Sequence, residues 1–127
     1  MRIELDFLLE GLAAIETLGA GEHSEAIAGE IIDWGVPYRP SRWRGRQLSC
    51  AARKRYSVVA ARMERAGLIK RIAALGGRVT HFTLQPAGIA RAIAVARGQG
   101  AELDEGAIHE GAKLAGWIES AEPATFS

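Results

Sequence analysis

Between Ser49 and Leu84 the chain gathers side chains suited to holding phosphate oxygens. Arg53, Lys54, Arg55 and Arg62 supply cationic donors, and Ser57 adds a hydroxyl among them. At about 100° per residue, Ala52, Tyr56, Val59, Ala60 and Met63 fall on one side of a helix, an apolar stripe that predicts a core-facing surface. Lys54, Val58, Ala61 and Arg65 fall opposite, with Ala51 and Arg62 nearby. Such a face is basic but small, because Ala51, Val58 and Ala61 carry short side chains. It fits a major groove about 12 Å wide, with the longer cations reaching phosphates or base edges. The same pattern also describes a basic surface helix that only meets water. Ser49 is placed to cap this helix and Gly67 to stop it.

Two segments, 69–75 and 78–84, flank Gly76-Gly77, a strong two-residue turn signal because both central positions can need positive φ. Pairing across that turn sets Ile69 opposite Leu84 and Arg71 opposite Phe82. Ile69, Phe82 and Leu84 then share a face that can cover the helix, with Arg71 and Arg78 on the same face toward the tip. Ile72 and His81 share the other face. A protruding tip carrying Arg78 can approach a minor groove or a phosphate; an ordinary exposed hairpin has the same sequence.

A third basic element precedes the helix. In GVPYRPSRWRGRQ, residues 35–47, Arg39, Arg42, Arg44 and Arg46 alternate with Tyr38 and Trp43. Arginine interleaved with aromatics suits phosphate contact, minor-groove insertion or stacking on an unpaired base. Pro37, Pro40 and Gly45 predict an irregular segment lying beside the basic helix. The alternative is a connector whose Trp43 packs on the core.

ARMERAGLIKR, followed by a Gly-containing hairpin and then FTLQPAGIARA, resembles winged helix-turn-helix regulators of the MarR-like and PadR-like kind. The resemblance covers residues 48–96 and implies that Arg53 to Arg65 is a recognition helix and Ile69 to Leu84 a wing. It departs from those families at Gln85, where they carry a Thr or Ser cap, and in the longer segment before the basic helix. The implied fold is mainly α with a small β-hairpin wing: a winged-helix DNA-binding domain over residues 1–97, then a C-terminal helix and tail over 98–127. The implied function is sequence-dependent binding of duplex DNA, as a transcriptional regulator or in another DNA-associated task such as replication or plasmid maintenance. The side chains placed at the DNA are Arg39, Arg42, Trp43, Arg44, Arg46, Arg53, Lys54, Arg55, Ser57, Val58, Ala61, Arg62, Arg71 and Arg78. Two other readings stand beside this one. The exposed face around Val58 and Ala61 could meet a protein, or Tyr38 and Trp43 could stack on single-stranded nucleic acid.

The elements that must position these side chains lie on a strongly polarised chain. Its net charge of +1 conceals −7 over residues 1–33, +11 over residues 34–78 and −3 over residues 79–127. Within the middle segment Glu64 is the only acid against twelve bases. Segregation of this kind is the electrostatic footprint of a phosphate-binding surface. The 127 residues suit one modest core, and an apolar content of 48% excludes disorder by composition. No apolar run is long enough to span a membrane, and no secretory leader is apparent. Cys50 is the one cysteine, which excludes an intramolecular disulfide and makes a cytoplasmic setting the expectation. Its place near the start of a basic helix favours a thiolate and allows a redox-sensor role, but a buried or bystander cysteine is the preferred reading.

Residues 3–18 read as the first helix, with Leu5, Leu8, Leu12 and Ile15 as its stripe, widened by Leu9. A second is expected from His23 to Trp34, capped by Ser24, with Ile27, Ile31 and Trp34 inward. Pro86 to Arg97 forms the helix after the hairpin, with Pro86 in its first turn and Ile89 and Ile93 inward. Leu103 to Glu119 reads as a final helix with Leu103, Ala107, Leu114 and Ile118 inward, weakened by Gly106, Gly111 and Gly116. It needs a partner, either the first helix or its own copy in a homodimer. Residues 121–127 read as a frayed tail. His23, His81 and His109 are scattered without metal-ligand spacing, and there is no phosphate-binding Gly loop. Neither a cofactor nor an enzymatic activity is expected.

Overall fold

The computed structural model describes residues 2–119, so the tail predicted over 121–127 lies outside the described residues. Three of its helices begin where a short polar side chain can take up an orphan backbone N–H. Ser24 accepts from Ile27 N at the start of α2 (Glu25–Asp33), Ser49 from Ala52 N at the start of α4 (Cys50–Arg65), and Asp104 from Ala107 N at the start of α6 (Glu105–Leu114). The other helices are α1 (Ile3–Gly19), α3 (Pro40–Arg44) and α5 (Pro86–Gly98). Gln85 precedes α5 without a side-chain cap, and Pro86 opens it.

Three short strands make one antiparallel sheet in the order β1-β3-β2: β1 (Val36–Pro37), β2 (Ile69–Ile72) and β3 (His81–Leu84). Ile69 pairs with Leu84 and Arg71 with Phe82, the register expected from the turn. Gly76 and Gly77 both have positive φ, +62° and +76°. The paired strands are shorter than expected. Beyond Ile72 only the bridge between Leu75 and Arg78 continues the ladder. The Thr80 hydroxyl takes the Ala74 N–H there in place of a strand partner.

Phe7 lies at the centre of the core, with Trp43 and Phe82 each 5.2 Å away edge-on and Tyr38 stacked at 5.9 Å. Leu8, Ile15, Tyr56, Ile69, Leu84, Ile89, Ile93 and Ile108 fill the space around it. The stripe of α1 is broader than predicted, since Ile3, Phe7 and Leu18 are buried while Leu5 and Leu9 are half-buried. α6 folds back on α1, and the crossing is close enough to require glycine on both helices. A Cβ on Gly111 would sit 1.8 Å from the Ile15 carbonyl oxygen, and one on Gly19 would sit 1.7 Å from that of Ala107.

Several expectations are corrected. Residues 35–47 are not irregular: Val36–Pro37 joins the sheet edge, and Pro40 opens α3. Proline is tolerated in both places because an edge strand and a first helical turn each leave an N–H unneeded. α2 starts at Glu25, and only Ile31 is buried on it. Ile27 and Trp34 stay 48% and 46% exposed, because α2 lies beside β1 at the sheet edge and turns only Ile31 fully into the core. α6 ends at Leu114, which is 49% exposed instead of inward; Trp117 and Ile118 are buried beyond the helix end.

Candidate nucleic-acid interface

The predicted inward face of α4 is buried at Ala52, Tyr56, Ala60 and Met63 and half-buried at Val59. Opposite it, Arg53, Lys54, Arg55, Ser57, Val58, Arg62 and Arg65 are exposed, while Ala61 is half-buried. Val58, 58% exposed, is an apolar crest among the cations. The Arg53 guanidinium reaches the sulfur of Cys50, also exposed, at 3.3 Å.

Three of the predicted contact residues are instead built into the fold. Trp43 is packed among Phe7, Tyr56 and Phe82 and cannot stack on a base without leaving that cluster. Arg44 Nε donates to the Tyr56 hydroxyl at 2.6 Å and lies 2.9 Å from the Asp6 carboxylate. The Tyr56 hydroxyl in turn donates to Asp6 at 2.6 Å. Burial, reinforced by Asp6, holds Tyr56 above the ordinary tyrosine range, and the Tyr56 hydrogen bond holds Arg44 above its own. Arg71 gives Glu64 its backbone N–H at 2.8 Å and its guanidinium at 2.9 Å. That pair fastens the first hairpin strand to the last turn of α4.

The backbone N–H of Arg71, then its guanidinium, lowers the Glu64 pKa below the ordinary 4.5. A carboxyl with a depressed folded pKa adds stability that is complete above the unfolded value and is lost as pH falls through the folded one. The Glu64–Arg71 pair is partly exposed, so its contribution at neutral pH is about 1 kcal/mol or less. Glu64→Gln should therefore be slightly less stable than the parent at pH 7, with the difference shrinking as pH falls below the ordinary 4.5 and through the lower folded value. Thermal melts across the acid range up to pH 7 check this; a difference that stays constant as pH falls, instead of shrinking, would refute the linkage.

With Glu64 neutralised by Arg71 and Arg44 held by Asp6, ten of the twelve bases between residues 34 and 78 have no ion-pair partner among the described residues. They are Arg39, Arg42 and Arg46 around α3; Arg53, Lys54, Arg55, Arg62 and Arg65 on α4; and Lys70 and Arg78 on the hairpin. Two of them are partly compensated: Arg42 shares a cleft beside β1 with Glu10, and Lys70 acts on the Glu64 carboxylate. Burial, then Asp6, raises the Glu10 pKa, and Arg42 opposes the rise. Arg65 and Lys70 were missing from the predicted contacts. Arg65 lies opposite Tyr56 on the helical wheel, and Lys70 alternates with buried Ile69, so both were findable from periodicity.

A feature with no counterpart in the sequence reading is a groove of about 740 Å³ between the start of α1, the flank of α4 and α5. Its floor includes Leu5, Leu8, Val59 and Val95, and Lys54, Arg55 and Arg62 stand at its edge. Among the described residues no helix is long and apolar enough to cross a membrane, and no cluster of His, Cys, Asp and Glu is arranged to hold a metal ion. Compared with known proteins, the chain matches no family model, no curated protein and no solved structure.

Proposed function

We propose that this chain is a winged-helix protein that binds duplex DNA through α4, with the β2–β3 hairpin as its wing and the α3 segment adding phosphate contacts. The observation that carries the reading is the set of ten cations without an ion-pair partner among the described residues, half of them along the exposed side of one helix. Most of these cations have no acid of the chain to answer them, and a polyanion is their natural counterpart. The short side chains of Ala51, Val58 and Ala61 keep the α4 face narrow enough for a major groove. Single-strand binding is disfavoured, because Tyr38 and Trp43 are occupied with Phe7 and each other. Regulation of transcription is the role we favour, with two copies on half-sites about one helical turn apart.

Fluorescence anisotropy with random duplex and single-stranded oligonucleotides at several salt concentrations tests this reading. Duplex should bind more tightly, and log K should fall against log salt with a slope near 0.9 per phosphate contacted. Arg78→Ala should lower that slope by about one and weaken all sequences alike. An absence of duplex binding at low salt would sink the proposal and leave Val58 as a crest for a protein partner.

A further inference from the structure

We infer that the groove between α1, α4 and α5 binds an amphiphilic organic anion, a carboxylate carrying a hydrocarbon chain, and that its occupancy excludes duplex from α4. The second half rests on the duplex-binding reading; the first does not. At about 740 Å³ the groove falls within the range of about 300–1,000 Å³ typical of small-molecule sites.

The chemistry of its walls selects the ligand. Leu5, Val58, Val59 and Val95 leave hydrocarbon accessible along it. Its charged rim holds Arg2, Lys54, Arg55, Arg62 and Arg91 against a single acid, Glu4. Arg91 and Glu4 pair with each other at 3.2 Å, so four rim cations have no ion-pair partner among the described residues. A neutral apolar ligand would cover the floor and leave those cations unanswered. A sugar-phosphate backbone would answer the cations and leave the floor wet. A single chain ending in a carboxylate satisfies both, by apolar burial and by charge-assisted hydrogen bonds at the rim.

The coupling follows from shared residues. Lys54, Arg55, Val58 and Arg62 belong both to the groove and to the exposed face of α4. A carboxylate among these side chains neutralises the charge that would attract phosphate, and its chain covers the Val58 crest. Anion and duplex then compete for one surface, a reciprocal coupling that thermodynamic linkage requires to be equal in both directions.

The test uses the full chain and three probes, octanoate, decanoate and dodecanoate, kept below micelle-forming concentrations. Calorimetry without DNA should show one-to-one binding that tightens about three- to fourfold per added methylene. Decanol should bind at least about tenfold more weakly than decanoate, through loss of the charged contacts. Val59→Trp, which fills the floor, and Val58→Glu, which sets an acid on an exposed position at the mouth, should each weaken decanoate about tenfold or more. Circular dichroism confirms that both variants fold. Anisotropy should then show decanoate displacing bound duplex from the parent but not from Val59→Trp. Failure of the carboxylates to bind, or binding indifferent to both substitutions, overturns the site. A dimer in sedimentation that Val58→Glu dissociates, without carboxylate binding, also overturns it and identifies a second copy as the occupant. Decanoate binding without displacement of bound duplex overturns the competition. Failure of the parent to bind duplex at all removes the DNA reading and the competition with it, and calorimetry then decides the site by itself.

Discussion

Gly111→Ala is expected to destabilise the protein by about 3 kcal/mol or more, the upper end of what overpacking a close contact costs. In a chain of this size that lowers the melting temperature by about 10 °C or more. The added methyl would sit 1.8 Å from the Ile15 carbonyl oxygen, and backbone cannot yield as a flexible side-chain tip can. Relief requires α6 to move off α1, and α1 is the helix against which α4, α5 and α6 all pack. The reciprocal close approach at Gly19, where an added Cβ would meet the Ala107 carbonyl oxygen, leaves no second direction of escape. Gly106→Ala in the same helix supplies the contrast. Its Cβ meets only the Asp104 carboxylate, at 3.4 Å, so the change should be neutral or stabilise by up to about 1 kcal/mol through helix propensity. Thermal melts of the two variants decide the matter; equal midpoints would mean that the helix crossing is looser than described.

That contrast marks where sequence reasoning stops. Gly106, Gly111 and Gly116 look alike along the chain, and each was expected to weaken the last helix. Only the crossing partner, nearly a hundred residues earlier, separates the indispensable glycine from the replaceable one. Features governed by neighbours in sequence were visible in advance: the Ser49 cap, the Tyr56 stripe, the Gly76-Gly77 turn and the register that sets Ile69 opposite Leu84. Features that depend on distant partners were not. Val36–Pro37 becomes a strand only because β3 offers an edge, and Trp34 stays exposed because α2 turns only Ile31 fully into the core. The basic character of the candidate interface was likewise visible, since charge segregation is a property of the chain. The internal use of Arg44 was not, because its anchors bring Asp6 and Tyr56 together across fifty residues. Nor was the groove, whose apolar walls come from three helices.

The division of the arginines into structural and available sets leads to a crossover in mutant behaviour. Arg44→Ala should cost about 1–3 kcal/mol of stability, because it strips a charge-assisted partner from the hydroxyl of a fully buried tyrosine and from Asp6. Arg71→Ala should cost less, because the Glu64 carboxylate keeps the backbone N–H at position 71 and is partly exposed. At a temperature where both remain folded, neither should change duplex affinity by more than about twofold, since each side chain is already engaged. The double variant Lys54→Ala/Arg55→Ala should do the opposite. Both side chains are exposed and unpaired, so stability should shift by no more than about 0.5 kcal/mol. If each contacts one phosphate, the salt slope should fall by about 1.8. Each lost contact removes a factor of about eight at 0.1 M salt relative to 1 M, so affinity at 0.1 M should drop by about 60-fold. Melting curves and anisotropy titrations on the same four proteins read both axes. If Arg44→Ala or Arg71→Ala instead lowers affinity strongly at unchanged stability, the ion pair must open on binding, and that arginine then contacts the DNA. If the double variant loses stability rather than affinity, the exposed side of α4 belongs to the fold, and the duplex reading of that helix fails.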